Sequence, residues 1–406
     1  METRTEAVHE LPVKQFDVYT DTREILAHAR RQAEERNLQD YVIVDIDSHH
    51  VEVSSWKEVV EFIEDPVIRD QAKAYHESRV GAPPYGMYGN LGMRYQDVGG
   101  RISHHSDRRE EVEDKDVHRD VVLTRRAMES FGIDYMVVFP TQMLNLGMHP
   151  QSEMECLLAR AYNRWMVENI LKAEGRIKSM LYLPISEPDE ALRMVEEFAD
   201  EPGVVGFMVT SVRDKPVHHN QYMKLYAALN ERRLPLAFHG GYSWENPSMA
   251  QLRRFNGVHA LGFVFWNMLH LTNWVLNGMP ERFPDVKVLW IESGLAWVPF
   301  MMQRLDSGYM MRTSEAPELQ RRPSDYMREM YYSSQPMERT DRRGLETTLA
   351  MINAETQLLY ASDWPHWDFD LPSTIYDLPF LSEQAKRNIL GESALKLFGL
   401  ERPAGK

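Results

Sequence analysis

Short runs of β-prone apolar residues alternate with longer segments of helical period along most of this chain. Eight such runs stand out: YVIVDI (41–46), DYMVVF (134–139), IKSMLYL (177–183), VVGFMV (204–209), LPLAF (234–238), VKVLWI (286–291), the weaker MYYSS (330–334) and LLYA (358–361). Between most of them lie segments of helical period, among them 154–175, 188–201 and 220–233. Strands apolar along their whole length are buried on both faces, the mark of a parallel sheet covered by helices, and eight of them suggest closure. The expected fold is therefore α/β, a distorted (β/α)8 TIM barrel with a long insertion after the first strand. An open doubly wound sheet is the competing architecture. Two features disfavour it: no GxGxxG turn follows the first strand, and the polar residues that end strands one, five, six and eight converge easily only if the sheet closes.

Residues 1–40 read as a charged N-terminal arm whose one helical stretch, 22–37, carries few apolar positions. The barrel domain is expected over 41–401. Within it, residues 54–120 far exceed an ordinary βα connection and are rich in Gly, Pro, Tyr and His, which predicts a lid or an oligomer contact. A second excursion, from Tyr242 to about Trp274, carries Trp244, Trp266 and Trp274.

Composition narrows the function. A formal charge of −15 argues against nucleic acid or an anionic membrane as partner and leaves a small-molecule substrate. One cysteine, Cys156, within a helical pattern, excludes an internal disulfide framework and a multi-Cys zinc site, and a core role is expected for it. No apolar stretch reaches the roughly 18 to 20 residues of a membrane span, and the N-terminus lacks a signal-type apolar core, so a cytoplasmic location is expected.

The chemistry lies at the strand ends. Asp47, Ser48, His49 and His50 close the first run, His239 the fifth, Glu292 the sixth and Asp363 the eighth. Imidazole and carboxylate are the usual ligands of divalent transition metals, so the pattern reads as a metal site assembled at the carboxyl ends of strands. Asp47 and His49, two residues apart, fall on one side of an extended backbone, whereas adjacent His49 and His50 point different ways. The glycines of FHGG let backbone approach a ligand closely beside His239; a buried histidine bonded to backbone is its bland reading. Asp363 is also suited to a turn before Trp-Pro, and His366 and Asp368 follow it closely. Glu292 fits a helix N-cap neighbour or a reactive group, and Glu52 fits a cap for a helix starting near Ser54 or Ser55 as well as it fits catalysis. His104 and His105 have no strand context. No GxSxG elbow is present.

These landmarks, DSHHVE (47–52), FHGG (238–241), residues 277–306, YASDWPHWD (360–368) and NILGESALKLFGL (388–400), resemble the amidohydrolase-related metal-dependent barrels, which include aminocarboxymuconate semialdehyde decarboxylase and the hydroxybenzoate decarboxylases. The resemblance spans about residues 41–401. It implies that Asp47, His49, His239 and Asp363 hold one divalent ion, zinc or manganese, and that the enzyme hydrolyses or non-oxidatively decarboxylates a small carboxylic acid; the aromatic-rich insertions suit an aromatic or compact apolar one. The chain departs from those decarboxylases at Glu292, where they usually carry a histidine, and at Val51, where many carry a second one. It also has no lysine just after VVGFMV to bridge two metals. Glu292 and His366 are the catalytic candidates. The chain is similar as well to the 2-aminoisobutyrate hydroxylase branch, which implies an iron or iron-manganese pair with Glu52, Glu292 and His366 as further ligands. The resemblance also implies a homo-oligomer, or a hetero-oligomer with a related subunit; a silent or single-metal partner subunit is the third reading.

Overall fold

The computed structural model describes residues 21–52, 54–78, 111–213, 215–241, 249, 251–252 and 254–406. Eight parallel strands follow one another around a sheet in the order β1 to β8: Val44–His50, Tyr135–Pro140, Ile177–Tyr182, Val204–Val209, Leu236–His239, Val288–Ile291, Tyr331–Ser333 and Leu358–Leu359. The last strand is only two residues long, and backbone hydrogen bonds beyond it complete the seam. Ile46 N–H donates to the Tyr360 carbonyl at 3.0 Å, Asp363 N–H to that of Asp47 at 2.7 Å, and His49 N–H to that of Trp364 at 2.6 Å. The barrel expected from the spacing of the apolar runs is thus present.

The helices named below are α1 (Arg23–Glu35), α2 (Pro66–Ser78), α3 (Arg119–Phe131), α4 (Ser152–Trp165), α5 (Pro188–Phe198), α6 (Met223–Arg232), α7 (Phe255–Leu276) and α8 (Trp297–Met311). Their ends follow local chemistry. At the start of α3, the His118 ring accepts from Asp120 N–H; at its end, Gly132 takes the left-handed conformation (φ 79°) that only glycine adopts without a Cβ penalty. At the foot of the barrel the C-terminal segment packs so closely that a Cβ on Gly391 would lie 2.3 Å from the Val42 carbonyl oxygen.

Several boundaries differ from the sequence reading. The first strand does not stop at Ile46: it runs through the polar cluster to His50, with a bulge between Asp45 and Ser48, because β2 continues alongside to Pro140. The single helix expected over 154–175 is α4 followed by a π-helical turn, Met166–Leu171. The helix of the arm is docked rather than free: α1 packs on α3 with Leu26 and Ala29 buried, and Arg36 pairs with Asp377 at 2.8 Å. Of the long insertion, a short helix, Trp56–Val59, and α2 are described; residues 79–110, with His104 and His105, lie outside the described residues, as does Trp244. Trp266 and Trp274 sit buried on α7; Trp274 packs on Phe238 of β5 and Trp266 on His270 of the same helix. Cys156 lies on α4, half-buried rather than in the core, and burial pushes its thiol up to about 12. No helix among the described residues is long and apolar enough to cross a membrane.

Candidate metal centre

Strands β1, β5, β6 and β8 deliver one carboxylate or imidazole each, or two, to a common point at the carboxyl end of the barrel. His49 Nε2 lies 3.3 Å from Asp47 Oδ1, 3.2 Å from Asp363 Oδ1 and 3.6 Å from Glu292 Oε2. His239 Nε2 lies 3.6 Å from Asp47 Oδ1 and 3.4 Å from Glu292 Oε2. All five side chains are buried, with at most 1% of any exposed. The imidazoles are oriented from behind: His49 Nδ1 faces the Pro140 carbonyl at 3.0 Å, and His239 Nδ1 that of Gly240 at 2.9 Å. A ring whose Nδ1–H is spent on a carbonyl offers the Nε2 lone pair forward, the usual arrangement of a metal-bound histidine.

What the cluster lacks is internal satisfaction. Both oxygens of Asp47 and of Glu292, one of Asp363, and Nε2 of His49 and His239 are buried without a hydrogen-bond partner. Buried polar atoms are rarely left so, and here seven of them face one another. Burial alone would raise Asp47, yet the His239 and His49 rings overcome it and hold its carboxyl down at about 2. Burial and the Asp363 charge drive Glu292 well above the ordinary carboxylate range, and burial raises Asp363 to about 6. Three carboxylates crowded beside two imidazoles fit a divalent cation, whose charge would offset what burial and mutual repulsion cost. Mixed oxygen and nitrogen donors suit zinc, manganese or iron.

Two of these groups sit on strained backbone. Glu292 (φ 46°) and Asp363 (φ 57°) both occupy the left-handed region, unusual for a residue other than glycine, immediately after β6 and within the turn after β8. Glu292 N–H is held by Ser333 Oγ at 3.0 Å, and Asp363 N–H by the Asp47 carbonyl. His366 adds a second layer: its Nδ1 meets Asp363 Oδ1 at 2.7 Å, its Nε2 meets Thr141 Oγ1 at 3.2 Å, and its ring stacks on His49 with centroids 4.1 Å apart. Two overlapping groups of potential ligands result, Asp47, His49, His239 and Glu292, and His49, Glu292, Asp363 and His366.

Other expectations resolve differently. Glu52 belongs to neither group: its carboxylate accepts from the backbone N–H of Thr141, Gln142 and Met143, capping the 310 turn Gln142–Met148 rather than a helix near Ser54. His50 does point away from His49. It bonds Asp120 Oδ2 at 2.9 Å and stacks on Trp165, outside the barrel wall. The glycines of FHGG admit protein backbone, not a ligand: a Cβ on Gly240 would lie 3.0 Å from the Phe263 carbonyl, and one on Gly241 3.1 Å from that of Leu144. Sequence reasoning missed Asp45. This wholly buried carboxylate accepts from Ser362 N–H at 2.9 Å, Ser362 O–H at 2.5 Å and Asp47 N–H at 3.2 Å, tying the two ligand-bearing strand ends together. Burial raises Asp45 to about 8 against the pull of those bonds. Ser362→Ala is expected to cost about 1–3 kcal/mol of stability, read from urea unfolding, because it leaves a buried carboxyl oxygen unpaired.

The family model described as Amidohydrolase matches residues 116–400. The chain belongs to the amidohydrolase family. Among curated relatives, gamma-resorcylate decarboxylase of Polaromonas sp. (strain JS666 / ATCC BAA-500) is 23% identical over 258 residues, covering 60% of this chain and 77% of the relative. The enzyme of the same name from Rhodococcus jostii (strain RHA1) is 21% identical over 269 residues, covering 62% and 80%. Among solved structures, the dihydroxybenzoic acid decarboxylase of Polaromonas sp. JS666, with bound manganese and 2-nitroresorcinol, superposes with a TM-score of 0.62 at 18% identity, covering 89% of this chain and 98% of its own. A 5-carboxyvanillate decarboxylase from Sphingomonas paucimobilis gives 0.61 at 18% identity, with 89% and 100% covered. At such identities the structural likeness speaks for the fold of this amidohydrolase.

Proposed function

We propose that this amidohydrolase is a metal-dependent carboxy-lyase that removes CO2 from a small aromatic acid without oxidation. The observation that carries the reading is Glu292: a buried carboxyl with both oxygens unpartnered, set 3.4 to 3.6 Å from the two imidazoles that face the centre. The decarboxylase relatives and the manganese bound in one of the similar structures support it. In this reading Asp47, His49, His239 and Asp363 hold the ion. A divalent cation there, manganese by analogy, supplies charge to fix the substrate's oxygen groups and to stabilise negative charge as it develops.

The chain's own part is proton transfer. Loss of CO2 breaks the bond between ring carbon and carboxyl carbon and leaves the electron pair on the ring; a proton from the Glu292 carboxyl forms the new C–H bond, and solvent reprotonates Glu292. Its place 3.4 to 3.6 Å from both imidazoles sets that carboxyl beside an acid held at the centre, as a proton donor requires. His366, bonded to Asp363 and Thr141, fixes the Asp363 carboxylate. Phe139, whose ring centroid lies 6.3 Å from that of His49 and 5.2 Å from that of His239, supplies an apolar wall for an aromatic ring.

A second reading is favoured by the overlap of the two ligand groups. If His49, Glu292, Asp363 and His366 hold a second ion, the centre is a dinuclear iron or iron-manganese site and the enzyme an oxygenase. Anaerobic incubation of the manganese-loaded protein with 2,6-dihydroxybenzoate and 5-carboxyvanillate separates the two. One CO2 per acid consumed, with no oxygen present, is expected. Turnover only with two bound metals and oxygen uptake would replace this reading with the second.

A further inference from the structure

Three polar side chains from separate elements gather at the mouth of the barrel, apart from the ligands: Asp368 in the loop after β8, Gln335 just beyond β7, and His259 in the first turns of α7. Gln335 Nε2–H donates to the Asp368 backbone carbonyl at 3.3 Å, and Asp368 Oδ2 lies 3.9 Å from His259 Nε2. Two acceptors in this group have no partner. Gln335 is wholly buried with its Oε1 unbonded, and Asp368 Oδ1 is buried and unbonded as well. Orphaned acceptors on two residues joined by a hydrogen bond call for a donor from outside the protein.

The group is joined to the metal centre by aromatic rings. The His259 ring packs on Phe263 with centroids 5.4 Å apart and on Trp367 at 5.8 Å; Phe263 in turn lies 6.3 Å from His239. One ring therefore separates the polar mouth from a candidate ligand, a span on the scale of a small aromatic acid whose carboxyl group is held at the centre.

We propose that Asp368 and Gln335 read the end of the substrate remote from its reacting carboxyl group, so that the preferred acids carry a hydroxyl or amino donor there. The proposal rests on the decarboxylase reading for the orientation of the acid. Because both groups accept, an ether or an unsubstituted ring leaves them unpaired, and sites built around a hydrogen bond reject such analogues strongly.

Calorimetric binding to manganese-loaded protein tests this without turnover. The probes are 3- and 4-hydroxybenzoate and their methyl ethers. The better-bound hydroxy acid is expected to bind at least about tenfold more tightly than its ether. In Asp368→Leu, and independently in Gln335→Met, that ratio should fall below about threefold, with metal content and ether affinity held. An unchanged ratio in both variants, or equal binding of acid and ether by the parent protein, overturns the proposal alone. Discrimination that both variants abolish, without CO2 release from any acid, keeps Asp368 and Gln335 as the pair that reads a donor group and removes the decarboxylase reading with the orientation taken from it. Failure of every acid to bind removes both.

Discussion

Asp363→Ala is expected to strip the protein of its metal while leaving it folded. Asp363 Oδ1 lies 3.2 Å from His49 Nε2 and its Oδ2 is buried without a partner, so the carboxylate faces the cation's position directly. Changes to groups that merely orient a ligand cost about 10- to 100-fold in metal affinity, and loss of a ligand itself should exceed that. The fold should survive, because the seam is held by backbone bonds on either side, from Ile46 to Tyr360 and from His49 to Trp364, and by Asp45 with Ser362. Elemental analysis after gel filtration reads the first effect and cooperative thermal unfolding the second. Near-native metal content in the variant would reject Asp363 as a ligand.

Glu292→Gln is expected to lower kcat by about 10²- to 10⁴-fold, the range by which a positioned acid or base accelerates a reaction. The amide keeps the size and most of the packing of the carboxyl but cannot release the proton. If Glu292 is the proton donor, one metal ion per chain remains, since Asp47, His49, His239 and Asp363 are untouched. If it bridges to a second ion through the group it shares with His49, Asp363 and His366, that ion is lost. Full activity in the variant would refute both roles.

Much of this arrangement was legible in the sequence because strand ends carry the chemistry. His239 and Glu292 each follow an apolar run directly and Asp363 follows one after a single serine, and the order of those runs implies a closed parallel sheet. Alternation along the chain could not show which side of a strand faces inward, since strands covered on both faces are apolar throughout. Trp290 illustrates the loss. Two residues before Glu292 in the chain, it nevertheless faces away from the centre: its ring lies 4.8 Å from that of Phe238, which packs on α7 outside the wall. Asp45 lies within an apolar run, and its partner, Ser362, is 317 positions away and meets it only when the sheet closes. The spacing of Glu52 puts it near a helix start, whereas its partners are three N–H groups of the loop after β2. Local pattern finds a cap-forming residue but not the distant turn it caps.

Anomalous diffraction from crystals of the manganese-loaded protein, recorded on both sides of the manganese edge, tests the account most directly. It predicts a strong peak within coordinating distance of the Nε2 atoms of both His49 and His239 and of the carboxylates of Asp47 and Asp363. Full loading with the manganese bound elsewhere, and no peak among those four side chains, would contradict it.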